Sequence, residues 1–356
     1  MAAGLSHRER VLRTIEHKDI DRIPFFFRAE TPVKERLKKE LELKEDLDLI
    51  SYFDADAINI DVPYRKDCFR EPEEEGIFYD IFGDKIKRVQ YGSISSETVI
   101  GPVLADASRV DDLEHIKWPD RSFIDIEESL RQARLARSTG LAVYGGVWAS
   151  IFTISRSMMG EENYLVSLIS NPELISGLVD RITDCFLELN EAYLTACGRY
   201  LDLYYFGSDF GIQDSMFISR DMFRRFFKPN LKRLADQAKG FGLKVMYHTC
   251  GAVGDIIPDL IECDVDVLDP VQVSAVGMAP EILAGRFKNK IAFHGGISTQ
   301  RILPFEKTEA VRREVTKTIE TLGPLGYIAA PDHEIMDDIP TENIEMLFKT
   351  IREFKI

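Results

Sequence analysis

Two residues in one short run have the types and spacing to hold a metal ion. In Lys244-Val-Met-Tyr-His-Thr-Cys-Gly251 an apolar stretch ends in His248 and Cys250. Its length and composition predict a buried strand over Lys244–Tyr247. Side chains at i and i+2 of an extended chain share a face. An imidazole nitrogen and a thiolate therefore stand side by side at the strand's C-terminal end. Those are two of the three protein ligands of an open zinc site, whose fourth position is left for water or a substrate atom. The third ligand stays open at this point: His333, His294, Cys263 or a carboxylate would serve. Cys263 precedes the next expected strand, at the opposite end, and is expected to be structural. A metal held in this way lowers the pKa of a bound thiol or water and yields a nucleophile near neutral pH.

The elements that must position this pair follow a regular alternation. Short apolar runs recur near residues 23, 55, 141, 201, 244, 265, 291 and 327. Between them lie helical patterns, among them Thr31–Leu43, Pro172–Cys197, Arg220–Lys239, Pro280–Phe287, Lys307–Leu322 and Thr341–Phe354. Continuous apolar strands alternating with helices indicate a parallel sheet. Eight such units predict a TIM (β/α)8 barrel, with residues 1–356 as one domain. Residues 67–96 differ, with short alternating segments, aromatics and Gly76, Gly83 and Gly92. They predict β-hairpins inserted into the main fold. No glycine-rich phosphate-binding fingerprint follows any expected strand, which argues against a doubly wound nucleotide-binding sheet.

In such a barrel, chemistry gathers at the C-terminal ends of the strands. In chain order those ends carry Arg28, then Asp61 with Tyr64, Trp148, Asp209 with Gln213, and His248 with Cys250. Asp269 with Gln272, His294, and Asp332 with His333 follow. The chain has six histidines, and three of them fall on this rim. A converging polar site explains that better than packing does.

Composition narrows the class. The net charge of −15 argues against nucleic acid and anionic membranes as partners. No apolar run reaches the length of a membrane span, and the charged residues 1–22 have no secretory apolar segment. Five scattered cysteines fit a reducing cytoplasm rather than a disulfide framework.

Several segments together resemble the uroporphyrinogen decarboxylase superfamily, which includes cobalamin-dependent methyltransferases acting on coenzyme M. They are Tyr247-His-Thr-Cys-Gly251, Gly207-Ser-Asp-Phe-Gly211, Asp269-Pro-Val-Gln272, His294-Gly-Gly-Ile297 and Gly326-Tyr-Ile-Ala-Ala-Pro-Asp-His333 with Pro340-Thr-Glu-Asn343. The resemblance runs from about Arg8 to Phe354 and implies a TIM barrel. The decarboxylases grip porphyrinogen carboxylates with an arginine-bearing first segment. Here Phe26-Phe-Arg-Ala-Glu-Thr31 keeps Arg28 but adds the acid Glu30, while Asp61 occupies the place of their catalytic aspartate. The methyltransferases carry a zinc site of His-x-Cys and a distant cysteine. His248 and Cys250 match the first two ligands, and His333 stands where the cysteine is usual. Nitrogen in place of sulfur makes the site less thiophilic. The resemblance therefore implies zinc on His248, Cys250 and His333, with Asp61, Asp209 and His294 in catalytic roles. Arg28, Tyr64, Trp148, Gln213 and Gln272 would line the substrate pocket. The implied reaction moves a methyl group between a corrinoid (methylcobalamin) on a partner protein and a small acceptor or donor, since no Asp-x-His-x-x-Gly corrinoid motif is present. The alternative is a cofactor-free carboxy-lyase of the decarboxylase type, built on Asp61 and Arg28. A third reading is a binding protein on the same barrel that has lost the chemistry.

Overall fold

Seven of the eight apolar runs of the sequence become parallel strands, most of them buried on both faces. A computed structural model describes residues 4–70, 74–91 and 94–356. Its strands are β1 (Ala57–Ile60), β2 (Ile77–Tyr79), β3 (Lys85–Tyr91), β4 (Ile94–Gly101), β5 (Ala142–Gly145), β6 (Leu203–Gly207), β7 (Lys244–His248), β8 (Val267–Val271), β9 (Ala292–Ile297) and β10 (Tyr327–Pro331). One sheet has seven parallel strands in the order β1-β5-β6-β7-β8-β9-β10. It curls into a TIM-like barrel with helices outside.

The closed eight-stranded barrel expected from the sequence is not formed. The first expected strand, Ile23–Phe27, is an extended segment without a ladder. It touches the last strand through one bridge, Phe25 to Ala329, and a second bridge joins Ala29 to Ile335. Pro24 is one reason, since it has no N–H to give to a ladder. Its carbonyl still accepts from Ala329 N at 2.9 Å, and Phe25 O accepts from Asp56 N at 2.9 Å. The segment thus lies between β10 and β1 without pairing as a strand.

Inside the curl, alternation along each strand separates two layers. Ala57, Ala142, Leu203, Met246, Val267, Ala292 and Ile328 belong to one apolar cluster with Val11 and Ile15 of the first helix, α1 (His7–Ile15). Two residues further along most of the same strands come Asn59, Tyr144, Tyr205, His248, Asp269, His294 and Ala330. All seven line a cavity. One layer is sealed by α1, and the next is mostly polar and open to a pocket. Ion pairs hold α1 in place. Arg10 reaches the buried Asp56 at 2.6 Å and Asp21 at 2.7 Å, and Arg8 reaches the buried Asp202 at 2.7 Å. A capping box between Ser6 and Glu9 starts the helix.

The inserted hairpins are present as a three-stranded antiparallel sheet in the order β2-β3-β4, which runs on to Gly101, beyond the expected limit of 96. Gly92 lies outside the described residues. Three helices among the described residues escaped the sequence reading: Asp46–Phe53, Ile151–Met159 and the short Ile302–Phe305.

The sheet is tied to the chain that follows it through a fully buried carboxylate. Asp84 Oδ1 accepts from Val103 N at 2.8 Å, and its Oδ2 has no hydrogen-bond partner among the described residues. Burial, then repulsion from Asp80, pushes its carboxyl up to about 7. The folded state therefore holds this proton more tightly than the unfolded chain. The stability contributed by the neutral form is complete below about pH 4 and is lost as pH rises to about 7. Urea denaturation should find Asp84→Asn close to wild type at pH 4 and more stable than wild type at pH 8, by ~1–3 kcal/mol. A gap that does not change with pH would contradict this account.

Candidate metal centre and active site

The polar layer is organised by Asp269, which is fully buried on β8. Its Oδ2 accepts from Tyr205 OH at 2.6 Å and from His248 Nδ1 at 2.8 Å. Its Oδ1 accepts from His294 Nδ1 at 2.5 Å. Arg28 Nη1 reaches both oxygens, at 3.3 and 3.0 Å, and its guanidinium lies over the Tyr205 ring. Burial alone would raise the carboxyl's pKa. Arg28, with the bonds from His248 and His294, instead holds it well below the usual range. The neighbouring sheet register explains the meeting: His248 pairs with Asp269 across β7 and β8.

With Nδ1 committed to Asp269, His248 turns Nε2 the other way. That atom lies 3.5 Å from Cys250 Sγ and 3.4 Å from Asp209 Oδ1. Asp209, His248 and Cys250 offer ligand atoms that all lie within 4.8 Å of one another. A tetrahedral zinc ion places nitrogen and oxygen ligands about 3.3–3.4 Å apart, and nitrogen and sulfur about 3.5–3.6 Å apart. The observed spacings fit that ion. A ligating histidine whose other nitrogen is held by a carboxylate is the usual support of such sites. Burial opposes charge on His248, but the carboxylates of Asp209 and Asp269 raise its pKa well above the ordinary value. Burial likewise opposes charge on Asp209, yet its bonds to His248 and to Cys250 bring it down to about 2. Burial pushes the Cys250 thiol up, against the pull of His248. These are the shifts of three donors without a cation between them. Metal binding would displace the proton on His248 and the thiol proton.

Backbone geometry sets the third donor. Asp209 Oδ1 accepts from Cys250 N at 2.9 Å. The loops carrying these residues touch at two glycines. A Cβ on Gly251, whose φ is +87°, would meet the Gly211 carbonyl carbon at 2.3 Å. Any side chain at either place would push Asp209 away from the pair.

The cavity above this layer has a volume of ≈ 490 Å³. Arg28, Asp61, Trp148, His248, His294 and His333 all line it. His333, the third metal ligand expected from the sequence, lies outside the 4.8 Å cluster; it is exposed, with Nδ1 3.2 Å from Glu334 O. His294 is buried, and burial lowers its pKa in spite of Asp269. Its Nε2 has no partner among the described residues. Asp61 sits at the cavity edge, where Asn59 donates to it at 3.0 Å. Tyr64 lies outside this cavity and lines two neighbouring ones. Gln213 and Gln272 line none of the three. Gln272 Oε1 accepts from Gly251 N at 2.7 Å, and Gln213 bonds to Ser274 O and to Gln272, so the two glutamines brace the loop that carries Cys250. Asp332 turns to Thr299 and away from the rim. Tyr205, Tyr144 and the carboxylate role of Asp269 were missed. Their signal was the period of two along the strands, which puts each two residues beyond a member of the layer sealed by α1, as it does His248 and His294.

A family model described as Uroporphyrinogen decarboxylase (URO-D) matches residues 6–354. The chain belongs to the uroporphyrinogen decarboxylase family. A uroporphyrinogen decarboxylase of Rickettsia bellii is 20% identical over 266 residues, which cover 72% of this chain and 74% of that one. A solved methyltransferase from Methanosarcina mazei superposes with a TM-score of 0.71 at 18% identity, covering 98% of this chain and 99% of that one. At that identity the likeness is one of fold, and it extends over nearly the whole of this family member. No helix among the described residues is long and apolar enough to cross a membrane.

In this family member, removing the charge of Asp269 leaves Arg28 largely buried without its main partner. Asp269→Asn should lower unfolding free energy by about 3 kcal/mol in urea titrations. An unchanged midpoint would mean that Arg28 finds another partner at no cost.

Proposed function

We propose that the protein is a metal-dependent methyltransferase, moving a methyl group between a corrinoid carried by a partner protein and a small acceptor or donor. The observation that supports this best is the triad of Asp209, His248 and Cys250, with ligand spacings that suit a tetrahedral ion and a carboxylate behind the histidine. When bound there, a zinc ion would hold an acceptor thiol or hydroxyl as its anion at neutral pH. The remaining roles belong to the chain. Asp269 and Tyr205 fix the His248 ring so that Nε2 faces the donors. His294 presents an unpartnered Nε2 in the cavity wall and accepts a hydrogen bond from the substrate. Asp61 and Asn59 orient a polar group at the cavity edge. Arg28 is anchored in the wall by Asp269 and Glu334.

The charge of the cavity weighs against a porphyrinogen substrate. Arg28 and Lys34 are its only lysine or arginine lining, against Asp46, Asp61, Asp269 and Glu334. Arg28 is already neutralised by Asp269. Eight carboxylates need a cationic wall, and this one has a net negative lining.

The test is metal analysis on protein purified without added metal, beside four variants. Wild type should carry about one zinc per chain, and Cys250→Ala and Asp209→Ala should lose it. His333→Ala should keep it, since His333 stands outside the cluster. Tyr205→Phe should weaken zinc binding about tenfold through the His248 ring. Chelation should abolish methyl transfer from methylcobalamin, and zinc should restore it. A wild type that takes up no metal even on reconstitution would overturn the proposal; loss of zinc in His333→Ala and not in Asp209→Ala would reassign the third ligand.

A further inference from the structure

A second cavity of ≈ 660 Å³ lies between the inserted sheet and the barrel, and half of its lining side chains are aromatic. Rings come from separate parts of the chain: Tyr64 and Phe69 after β1, Phe78 on β2, Phe82 in the turn beyond it, Trp148 after β5 and Phe186 on the long helix Pro172–Cys197. Phe82 and Phe186 are buried and pack edge to face at 5.8 Å, forming a floor. Phe69 and Phe78 are half-buried and form walls. Four charged residues, Lys66, Arg70, Asp80 and Glu97, complete a lining whose other members are aromatic or isoleucine. An apolar, largely preformed cleft of this size with few polar groups is what small-molecule sites look like.

This cleft adjoins the metal cavity. Trp148 lines both, and its ring lies 5.6 Å from the His248 ring and 5.0 Å from that of Tyr205. A third hollow of ≈ 230 Å³ lies beside both. It shares Asn59, Asp61, Trp148 and Tyr205 with the metal cavity, and Tyr64 and Trp148 with the aromatic one. A one-carbon donor or a short thiol fills only the first cavity. It leaves an exposed aromatic cleft one ring away from the chemistry.

We infer that the substrate extends past Trp148 into this second cavity, and that the part lodged there is an aromatic ring. The metal-facing end is then a heteroatom substituent on, or close to, that ring. Aromatic walls favour an aromatic guest because edge-to-face and offset contacts add to the area buried. A wall shared with the metal cavity at Trp148 argues for the far half of one substrate rather than for a segment of another protein. The inference rests on the reading of the first cavity as the reactive one, but its test does not depend on methyl transfer.

Isothermal titration of the full chain with 2-naphthol, beside its saturated counterpart decahydro-2-naphthol, separates the possibilities. The aromatic probe should bind saturably, with or without zinc, and about tenfold more tightly than the saturated one. Phe69→Ala and Phe78→Ala should each weaken 2-naphthol about tenfold while circular dichroism and metal content stay as in wild type. Two variants on different elements guard against one that fails to fold. Equal affinity for the two probes would overturn the aromatic assignment. Absence of saturable binding, or binding that ignores both substitutions, would overturn the site. A wild type without metal that still binds 2-naphthol in this manner would sink only the methyl-transfer reading.

Discussion

A buried carboxylate that must remain charged governs this structure. Placing Asp269 inside the barrel costs several kcal/mol unless its negative charge is matched and its lone pairs are filled. Four side chains from four different segments do this: Arg28, Tyr205, His248 and His294. Each is thereby fixed in direction. The consequence reaches beyond the site, because Arg28 sits on the extended segment that fails to form a strand. That segment has only isolated bridges to hold it between β10 and β1. The bond from Arg28 to Asp269, with Glu30 N donating to Ile335 O at 3.1 Å, supplies attachment that a ladder would have given. The same charge orders the active site and fastens the edge of the sheet.

The position of the polar layer follows from the alternation of strands in a curled sheet. One layer closer to α1, the same strands carry Ala57, Ala142, Leu203 and Met246, which pack against Val11 and Ile15. Small and medium side chains suffice there because a helix fills the remaining space. The next layer has no such plug and opens to the cavity. This is why a run such as Lys244–His248 can read as largely apolar and still end in a side chain that faces a cavity. His248 and Cys250 were legible because a period of two is visible in a single sequence. The inserted sheet was legible because alternation and glycines mark it off from the continuous apolar runs around it.

What stayed hidden needed long-range partners. Asp269 is one more acid at a strand end until Arg28, 241 positions away, is seen to meet it. Tyr205 sits in a run of five buried residues, and nothing local distinguishes its hydroxyl from that of Tyr204. Yet Tyr204 takes a bond from Asn190, while Tyr205 gives one to Asp269. The eighth strand was overcounted because an apolar run of the right length was read as a ladder, whereas Pro24 lacks the donor that a ladder needs. The helix Asp46–Phe53 was missed because its start is capped by Glu45 with Asp48, a pairing less usual than the serine box of α1. It matters, since Asp46, Leu47 and Ile50 close one side of the cavity.

The two histidines on Asp269 illustrate how one anion yields two different groups. Both are buried, and each gives Nδ1 to a carboxylate oxygen of the same residue. They shift in opposite directions because their second faces differ. His248 also meets Asp209, so a positive charge there has two anions near it, and its pKa rises. His294 has no second acid in contact. Arg28 and His248 are its charged neighbours beyond Asp269, and burial with their repulsion keeps it neutral. A site whose Nε2 faces a carboxylate and a sulfur attracts a cation. A neutral imidazole with a bare Nε2 offers a lone pair to a donor hydrogen. One of these faces lies at the donor cluster and the other in the wall of the same cavity, on the strands that flank β8, so the two would address different parts of a bound molecule.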